Sequence, residues 1–394
     1  MATNTFTIEL NGSQLILTLK SNAFNLFEQP ANNLWTFDLE GRLVGMYVDQ
    51  ANYRRTLDNR FFKKTHVNIS GEYFRSVKPV PFDIAFPLLQ RGTNLLSRVR
   101  DRCPEPFQEI IAKITCMTPV ALREQTRTFN EIYLPISILP PDQYMALVVQ
   151  LTEGCNYNQC LFCNFYKDRP FRIKSVPELT DHLLAIKGFL GKAILLRRSV
   201  FLADANAIVT PQSRLVTALD AIHNHFPKLN DIYSFIDVFT GIKKSAADYS
   251  ELAGRGLKRV YLGVESGNQE LLRFLNKLQL TDNIIKLSEN LKSGGIQLGI
   301  IFLAGIGGLR YAERHLRDSL ELIKHLPLSE GDIVYVSEFH ETNPEYRKKM
   351  ESENIPLPDM FAIRQLSKQF KAELKAVVPK GVAVSIYDIN QFFY

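Results

Sequence analysis

The sequence predicts an α/β fold in which a parallel sheet is interleaved with helices, preceded by an N-terminal α+β accessory domain. Two observations carry this expectation. After Leu139-Pro140-Pro141-Asp142, apolar runs begin near Ala146, Val200, Ile232, Arg259, Leu298 and Ile333, with helical patterns between them. Strands that alternate with helices build right-handed βαβ units and therefore a parallel sheet. Before that point the alternation is missing. Consecutive prolines exclude both helix and central strand, so the boundary falls there. The expected division is 1–139, 140–345 and 346–394, the last a helix and a final apolar segment packing on the core. Six units suit a partial barrel or a doubly wound sheet, and periodicity does not choose between them.

The elements follow in order. Thr5–Leu10 and Gln14–Leu19 alternate around Asn11-Gly12, a tight hairpin signal, and a second turn falls at Leu39-Glu40-Gly41. Helical patterns come next, over Phe107–Met117 and after Thr118, an N-cap followed by Pro119. In the second half Ser175-x-x-Glu178 forms a capping box for a helix carrying Leu179, Leu183 and Ile186 on one face. Thr210-Pro211, Ser245 and Thr281 open three more helices, and Gly294-Gly295 stops the last. The tail from Pro358 supplies a long helix and the apolar run Val382–Tyr394.

Composition narrows the class. With 394 residues, 45% hydrophobic and 22% charged, the chain exceeds a single core and reads as globular. The net charge of +6 is mild and does not argue for nucleic acid. Met1–Thr5 lacks the basic and apolar regions of a secretion signal, and the glycine-broken run Leu298–Leu309 is too short for a bilayer. The expected location is the cytoplasm, with no membrane partner. Tyr53-Arg54-Arg55, Arg60 and Lys63-Lys64 beside Phe61 and Phe62 read as a solvated face over packed aromatics. A sharper alternative has Arg54 or Arg55 binding an anionic substrate group.

Five cysteines are present, and three of them fall together at Cys155, Cys160 and Cys163. That clustering suits a metal site in a reducing compartment, not a disulfide framework. The spacing is C-x4-C-x2-C, in the loop after the first core strand, where parallel α/β folds gather their chemistry. Three thiolates can hold three corners of a cubane cluster and leave the fourth iron open. Cys103 and Cys116 are too few for a second cluster and are expected to be packed thiols. The alternative is zinc, which would need a fourth ligand; His182 is the nearest candidate.

With Phe162 as the aromatic just before Cys163, this segment resembles the radical S-adenosylmethionine (SAM) superfamily, whose usual spacing is one residue shorter in its first gap. The resemblance implies a partial (β/α)6 barrel, one [4Fe-4S] cluster on Cys155, Cys160 and Cys163, and S-adenosyl-L-methionine as the second cofactor. It extends to Asp204-Ala205-Asn206, where relatives carry Asp-Gly-Asp, so Asp204 and Asn206 become candidates for contact with the methionyl amine. The bland reading of these two is an Asx turn. Gly263-Val264-Glu265-Ser266-Gly267 is similar to the pattern of tRNA methylthiotransferases and related cores, which implicates Glu265 and Ser266 in binding the amine or ribose. Glu265 could instead cap the helix at Asn268. Lys277 is a candidate for the SAM carboxylate, against a solvated lysine. Gly305, in Ala304-Gly305-Ile306-Gly307-Gly308, would allow close approach of the cofactor, against a simple tight turn. Catalytic residues are not identified; Glu338 and His340, after the sixth strand, are candidates for proton donor or substrate ligand, against a surface loop.

The function implied is reductive cleavage of S-adenosylmethionine to a 5′-deoxyadenosyl radical that abstracts hydrogen from a substrate. An electron donor such as flavodoxin or ferredoxin goes with that chemistry. No RNA-binding appendage or Asp-x-His-x-x-Gly cobalamin pattern is present in the sequence, which favours a small-molecule substrate and speaks against cobalamin-dependent methyl transfer. A tRNA- or RNA-modifying enzyme is the alternative within this class, and a zinc-stabilised α/β RNA-binding protein is the alternative outside it.

Overall fold

A computed structural model describes residues 4–69, 72–392 and 394. The chain divides into two units, one comprising 1–136, 184–198 and 390–394, the other 137–183 and 199–389.

The first unit is built on an eight-stranded antiparallel sheet in simple sequential order, from Asn4–Leu10 to Glu72–Val80. Asn11-Gly12 makes the first hairpin, with Leu10 opposite Ser13, and the turn at Leu39–Gly41 joins Asn33–Phe37 to Leu43–Val48. Three of its strands alternate buried with half-buried or exposed residues along their length, as expected of a sheet with one face on a core. Helices Phe82–Val99 and Glu105–Thr115 contribute to that core, which holds Trp35, Phe24, Leu89, Ile111 and Ile114. Helix Pro119–Ile132 follows, and the Thr118 side chain caps it by accepting from the Ala121 amide.

Arg55 lies inside this unit, donating to Asn59 Oδ1, the Leu43 carbonyl and Gln125 Oε1. Burial lowers its pKa to about 10. Its guanidinium is therefore occupied within the domain, whereas Arg54 is exposed. Cys103 is buried and Cys116 exposed, so only the first matches the expected packed thiol.

The second unit carries a seven-stranded, fully parallel sheet. Its strands are Leu147–Gln150, Val200–Ala203, Ile232–Ile236, Leu257–Glu265, Gln297–Ala304, Ile333–Glu338 and Ala383–Tyr387, each paired with its neighbour in this order. The first six follow the expected apolar runs. The seventh comes from the C-terminal segment, whose helix Met360–Val377 precedes it. The first two strands are buried at every position, as befits a sheet covered on both faces.

Low in this sheet, Asp142 Oδ2 accepts from the Tyr261 hydroxyl (2.5 Å) and from Arg259 Nη1 (2.8 Å), and Oδ1 accepts from the Tyr335 hydroxyl (2.8 Å). One carboxylate thus ties the fourth and sixth strands together. No helix among the described residues is long and apolar enough to cross a membrane.

Candidate active site

All the strands of a parallel sheet run the same way, so the residues that follow them gather at one edge. At that edge a cavity enclosing about 1230 Å³, its open mouth included, is lined by Cys155, Cys160, Phe162, Cys163, Asn206, Glu265, Lys277, Glu338 and His340, all expected from the sequence. Asp204, Ser266 and Gly305 do not line it.

The cysteine loop is held from several sides. Gly154, with φ +73°, has no room for a side chain, since a Cβ would lie 2.8 Å from the Pro170 carbonyl oxygen. The Asn158 amide donates to Cys155 Sγ at 3.3 Å, and the Cys163 amide to the Cys160 carbonyl at 3.2 Å. From the other side, the Leu161 amide donates to the Leu275 carbonyl, Asn276 Nδ2 donates to the Gln159 carbonyl, and the Tyr157 hydroxyl donates to the Asn276 carbonyl. None of the three cysteines is in a disulfide. Burial pushes the Cys160 thiol up, and that of Cys163 to about 11.

Among the described residues, no three His, Cys, Asp or Glu side chains converge on a single metal ion. His182 is buried, and its Nε2 accepts from the Gln150 amide at 3.1 Å, so that nitrogen is taken by the first strand. Three soft thiols on one loop, with no fourth side-chain ligand, fit a cluster with an open iron better than a closed zinc site.

Asp204 faces the base of this loop. Its Oδ1 accepts from Gln150 Nε2 (2.9 Å), its Oδ2 accepts from the Gly154 amide (3.1 Å), and Arg169 lies 3.7 Å away. Burial raises its carboxyl above the usual range, against the hydrogen bond from Gln150 and the nearby Arg169. Its visible work is to hold the residue just before Cys155.

Asn206 does line the cavity. Its Nδ2 donates to Asp237 Oδ2 and to Thr240 Oγ1, while Asn156 Nδ2 donates to the same Asp237 oxygen at 2.9 Å. The Oδ1 atoms of Asn156 and Asn206 are buried without a partner among the described residues. Asn156 and Asp237 were not singled out from the sequence. Asp237 was within reach of the rule used for its neighbours, because it is the polar residue that directly follows the third strand.

The fourth strand ends in a register shift between Gly263 and Glu265, and Glu265 takes φ +62°. Its Oε1 lies 3.0 Å from Lys277 Nζ. A Cβ on Gly263 would stand 2.4 Å from that same oxygen, so the glycine leaves room for the pair. Burial works against the charge on Lys277, but Glu265 and then Cys160 outweigh it and hold the ammonium above the usual lysine value. Asn268 Oδ1 itself caps the following helix by accepting from the Leu271 amide, so Glu265 is not needed as the cap.

Ser266 turns elsewhere. Its Oγ is 2.7 Å from His315 Nδ1, while His315 Nε2 reaches the Leu303 carbonyl at 3.1 Å. The carbonyl requires a proton on Nε2, so Nδ1 accepts from the serine. Burial lowers the His315 pKa to about 4, which keeps the ring neutral. Gly305, at φ +87°, admits Ile363 of the C-terminal helix, whose Cγ1 would be 2.8 Å from a Cβ.

The description of the radical SAM superfamily matches residues 149–323, from the first strand of the parallel sheet through the helix after the fifth. Residues 149–323 belong to the radical SAM superfamily. This radical SAM region contains the three cysteines, Asp204, Glu265, Lys277 and Gly305, and stops short of Glu338 and His340. Among curated proteins, 4′-phospho-dehydrooxetanocin synthase of Priestia megaterium is 26% identical over 212 residues, covering 48% of this chain and 28% of that protein. The chain thus spans less than a third of that relative. Among solved structures, coproporphyrinogen III oxidase (HemN) from Escherichia coli is 14% identical with a TM-score of 0.44, covering 64% of this chain and 56% of that one. The cobalamin-dependent S-adenosylmethionine radical enzyme OxsB, with aqua-cobalamin bound, is 17% identical with a TM-score of 0.39, covering 80% and 38%. Likenesses of that size bear on neither substrate nor reaction.

Proposed function

We propose that this protein is a radical SAM enzyme acting on a small molecule. The observation that carries the reading is one cavity in which three free thiols and a buried carboxylate–ammonium pair share an otherwise largely aromatic and aliphatic wall. Cys155, Cys160 and Cys163 would hold a [4Fe-4S] cluster. When bound, that cluster and S-adenosylmethionine supply reductive cleavage of the sulfonium and a 5′-deoxyadenosyl radical that takes hydrogen from the substrate.

The chain's own residues do the rest. Glu265 and Lys277 offer opposite charges suited to an amino-acid moiety, whose ammonium and carboxylate each need a partner. The two unpartnered amide oxygens, of Asn156 and Asn206, add acceptors for donor groups on the bound molecules. Phe162, Phe165 and Tyr166 in the wall exclude water, which a carbon radical requires. Residues 140–345 serve as the catalytic core in this reading, with 346–394 packed on it and 1–139 as the accessory domain.

The segment Gly263–Gly267 supports kinship with tRNA methylthiotransferases and related cores, which leaves an RNA substrate as the second reading. A flavodoxin or ferredoxin is the electron donor to try first. Anaerobically reconstituted protein, reduced with dithionite, is expected to convert S-adenosylmethionine to 5′-deoxyadenosine and methionine. Only methylthioadenosine or S-adenosylhomocysteine as products would overturn the assignment.

A further inference from the structure

The wall of the cavity formed after the sixth and seventh strands belongs to a different part of the chain from the cysteines. Glu338 and His340 leave the sixth strand, and Tyr387 and Ile389 flank Asp388 at the end of the seventh. All of them lie beyond residue 323, outside the region that matches the superfamily. A wall built outside the shared region is where substrate choice can differ between relatives that share their chemistry.

The polar groups of this wall already sit against one another. Arg364 Nε, from the C-terminal helix, is 3.6 Å from Glu338 Oε2, with Lys368 of the same helix nearby. His340 Nε2 is 3.7 Å from Asp388 Oδ1, and the Asp388 carbonyl accepts from the Tyr144 hydroxyl at 3.5 Å. With the His340 ring neutral, the formal charges of Glu338, Asp388, Arg364 and Lys368 cancel on this wall. A charged ligand group would have to break one of these pairs and leave the other member buried, which costs more than a neutral hydrogen bond returns. Burial acts in the same direction on both lining side chains, raising the carboxyl of Glu338 and lowering the imidazole of His340.

We propose that Glu338 and His340 form a substrate-recognition site for an uncharged polar group, such as a hydroxyl, with Asp388 as the positioning residue for the His340 ring. The inference rests on the radical SAM reading for the identity of the reaction, but the recognition site is read from the wall itself. It places the polar end of the substrate against the sixth and seventh strands and its apolar body against the aromatic residues between.

Three probes of one size separate the alternatives: cyclohexanol, cyclohexylamine and cyclohexanecarboxylate, titrated by ligand-observed NMR against the anaerobic holoenzyme. Cyclohexanol should bind at least about tenfold more tightly than either charged probe, the effect of roughly one hydrogen bond. Glu338→Ala and His340→Ala should each weaken cyclohexanol about tenfold. Asp388→Ala should do the same, whereas Asp388→Asn, which keeps an oxygen for the ring, should stay within about threefold of wild type. If Asp388→Ala does not fold, the Asn variant and the two lining variants decide. A charged probe that binds as well as the alcohol and is weakened by Glu338→Ala or His340→Ala would overturn the proposal, as would unchanged cyclohexanol affinity in both lining variants. Release of 5′-deoxyadenosine by the wild type is measured on the same preparation. Its absence would remove the radical reading while the titrations still judge the recognition site.

Discussion

The antiparallel sheet of residues 4–80 and the parallel sheet of residues 147–387 treat polar side chains in opposite ways. In the first, buried polar groups answer one another: Asn33 donates to Glu28, and Arg55 to Asn59. Each of these pairs satisfies itself, and the atoms of residues 4–80 that are buried without a partner among the described residues, Asn25 Oδ1 and Arg42 Nε and Nη1, do not line the cysteine cavity. In the second, the strands are apolar along most of their length, and polar residues collect where they end. There Asn156 and Asn206 keep unpartnered oxygens, and Glu265 and Lys277 are paired on the cavity wall. The difference teaches that a buried polar atom without a partner points to a ligand where it also lines a cavity, as at Asn156 and Asn206.

The comparison can be broken most severely at the cysteines. Cys155→Ala, Cys160→Ala or Cys163→Ala should each abolish cluster assembly, read as loss of bound iron and sulfide, while Cys103→Ala and Cys116→Ala in the antiparallel unit should retain it. Equal dependence on Cys103 or Cys116 would demand a different cluster.

Next comes the core of the antiparallel unit. Trp35 is fully buried, donates to the Leu88 carbonyl and packs against Gly92. Trp35→Ala should lower stability by about 3–5 kcal/mol, measured by denaturant unfolding. A change near zero would show that this core is loosely packed.

The two acids of the parallel sheet should then separate. Glu265→Gln should weaken S-adenosylmethionine binding by about 1.5–3 kcal/mol with iron content kept. Asp204→Ala should reduce iron content first, because its carboxylate accepts from the amide just before Cys155. Identical phenotypes would erase the distinction between holding the loop and facing the ligand.

The smallest effect is a pH dependence. His315 titrates near 4 when folded, against about 6.5 unfolded, so below the upper value only the unfolded chain takes up the proton. Stability from this group is intact above pH 6.5 and falls as acid is added, by about 2 kcal/mol at pH 5. Urea unfolding of His315→Gln should show a correspondingly shallower decline between pH 7 and 5, and parallel curves would remove the buried histidine from the account.

Much of the parallel unit was legible in the sequence because its strands are continuous apolar runs bounded by capped helices. Cys155, Cys160 and Cys163 were legible because three cysteines fall on one loop. The seventh strand, Ala383–Tyr387, was not separated from the apolar tail, since its residues are mostly half-buried and it is short. The antiparallel meander was visible only at its sharpest turns. Asp388, His315 and Asn156 escaped because each is a single polar residue whose partner is distant along the chain: Asp388 meets His340, and His315 meets Ser266, from another element. Spacing can reveal ligands that share a loop but not partners brought together by the sheet.

The two edge strands of the parallel sheet are also the first and the last to be synthesised. The cysteine loop follows one of them, and Asp388 follows the other. On the ribosome the thiols therefore emerge long before the far wall exists, and more than half of the chain must follow before the seventh strand can pair with the sixth. Long-range pairing of this kind is slow to form. In the radical SAM reading, a cluster inserted early would meet open solvent on the side where Tyr387 and Ile389 later stand, and its insertion would be better shielded once the C-terminal strand has paired.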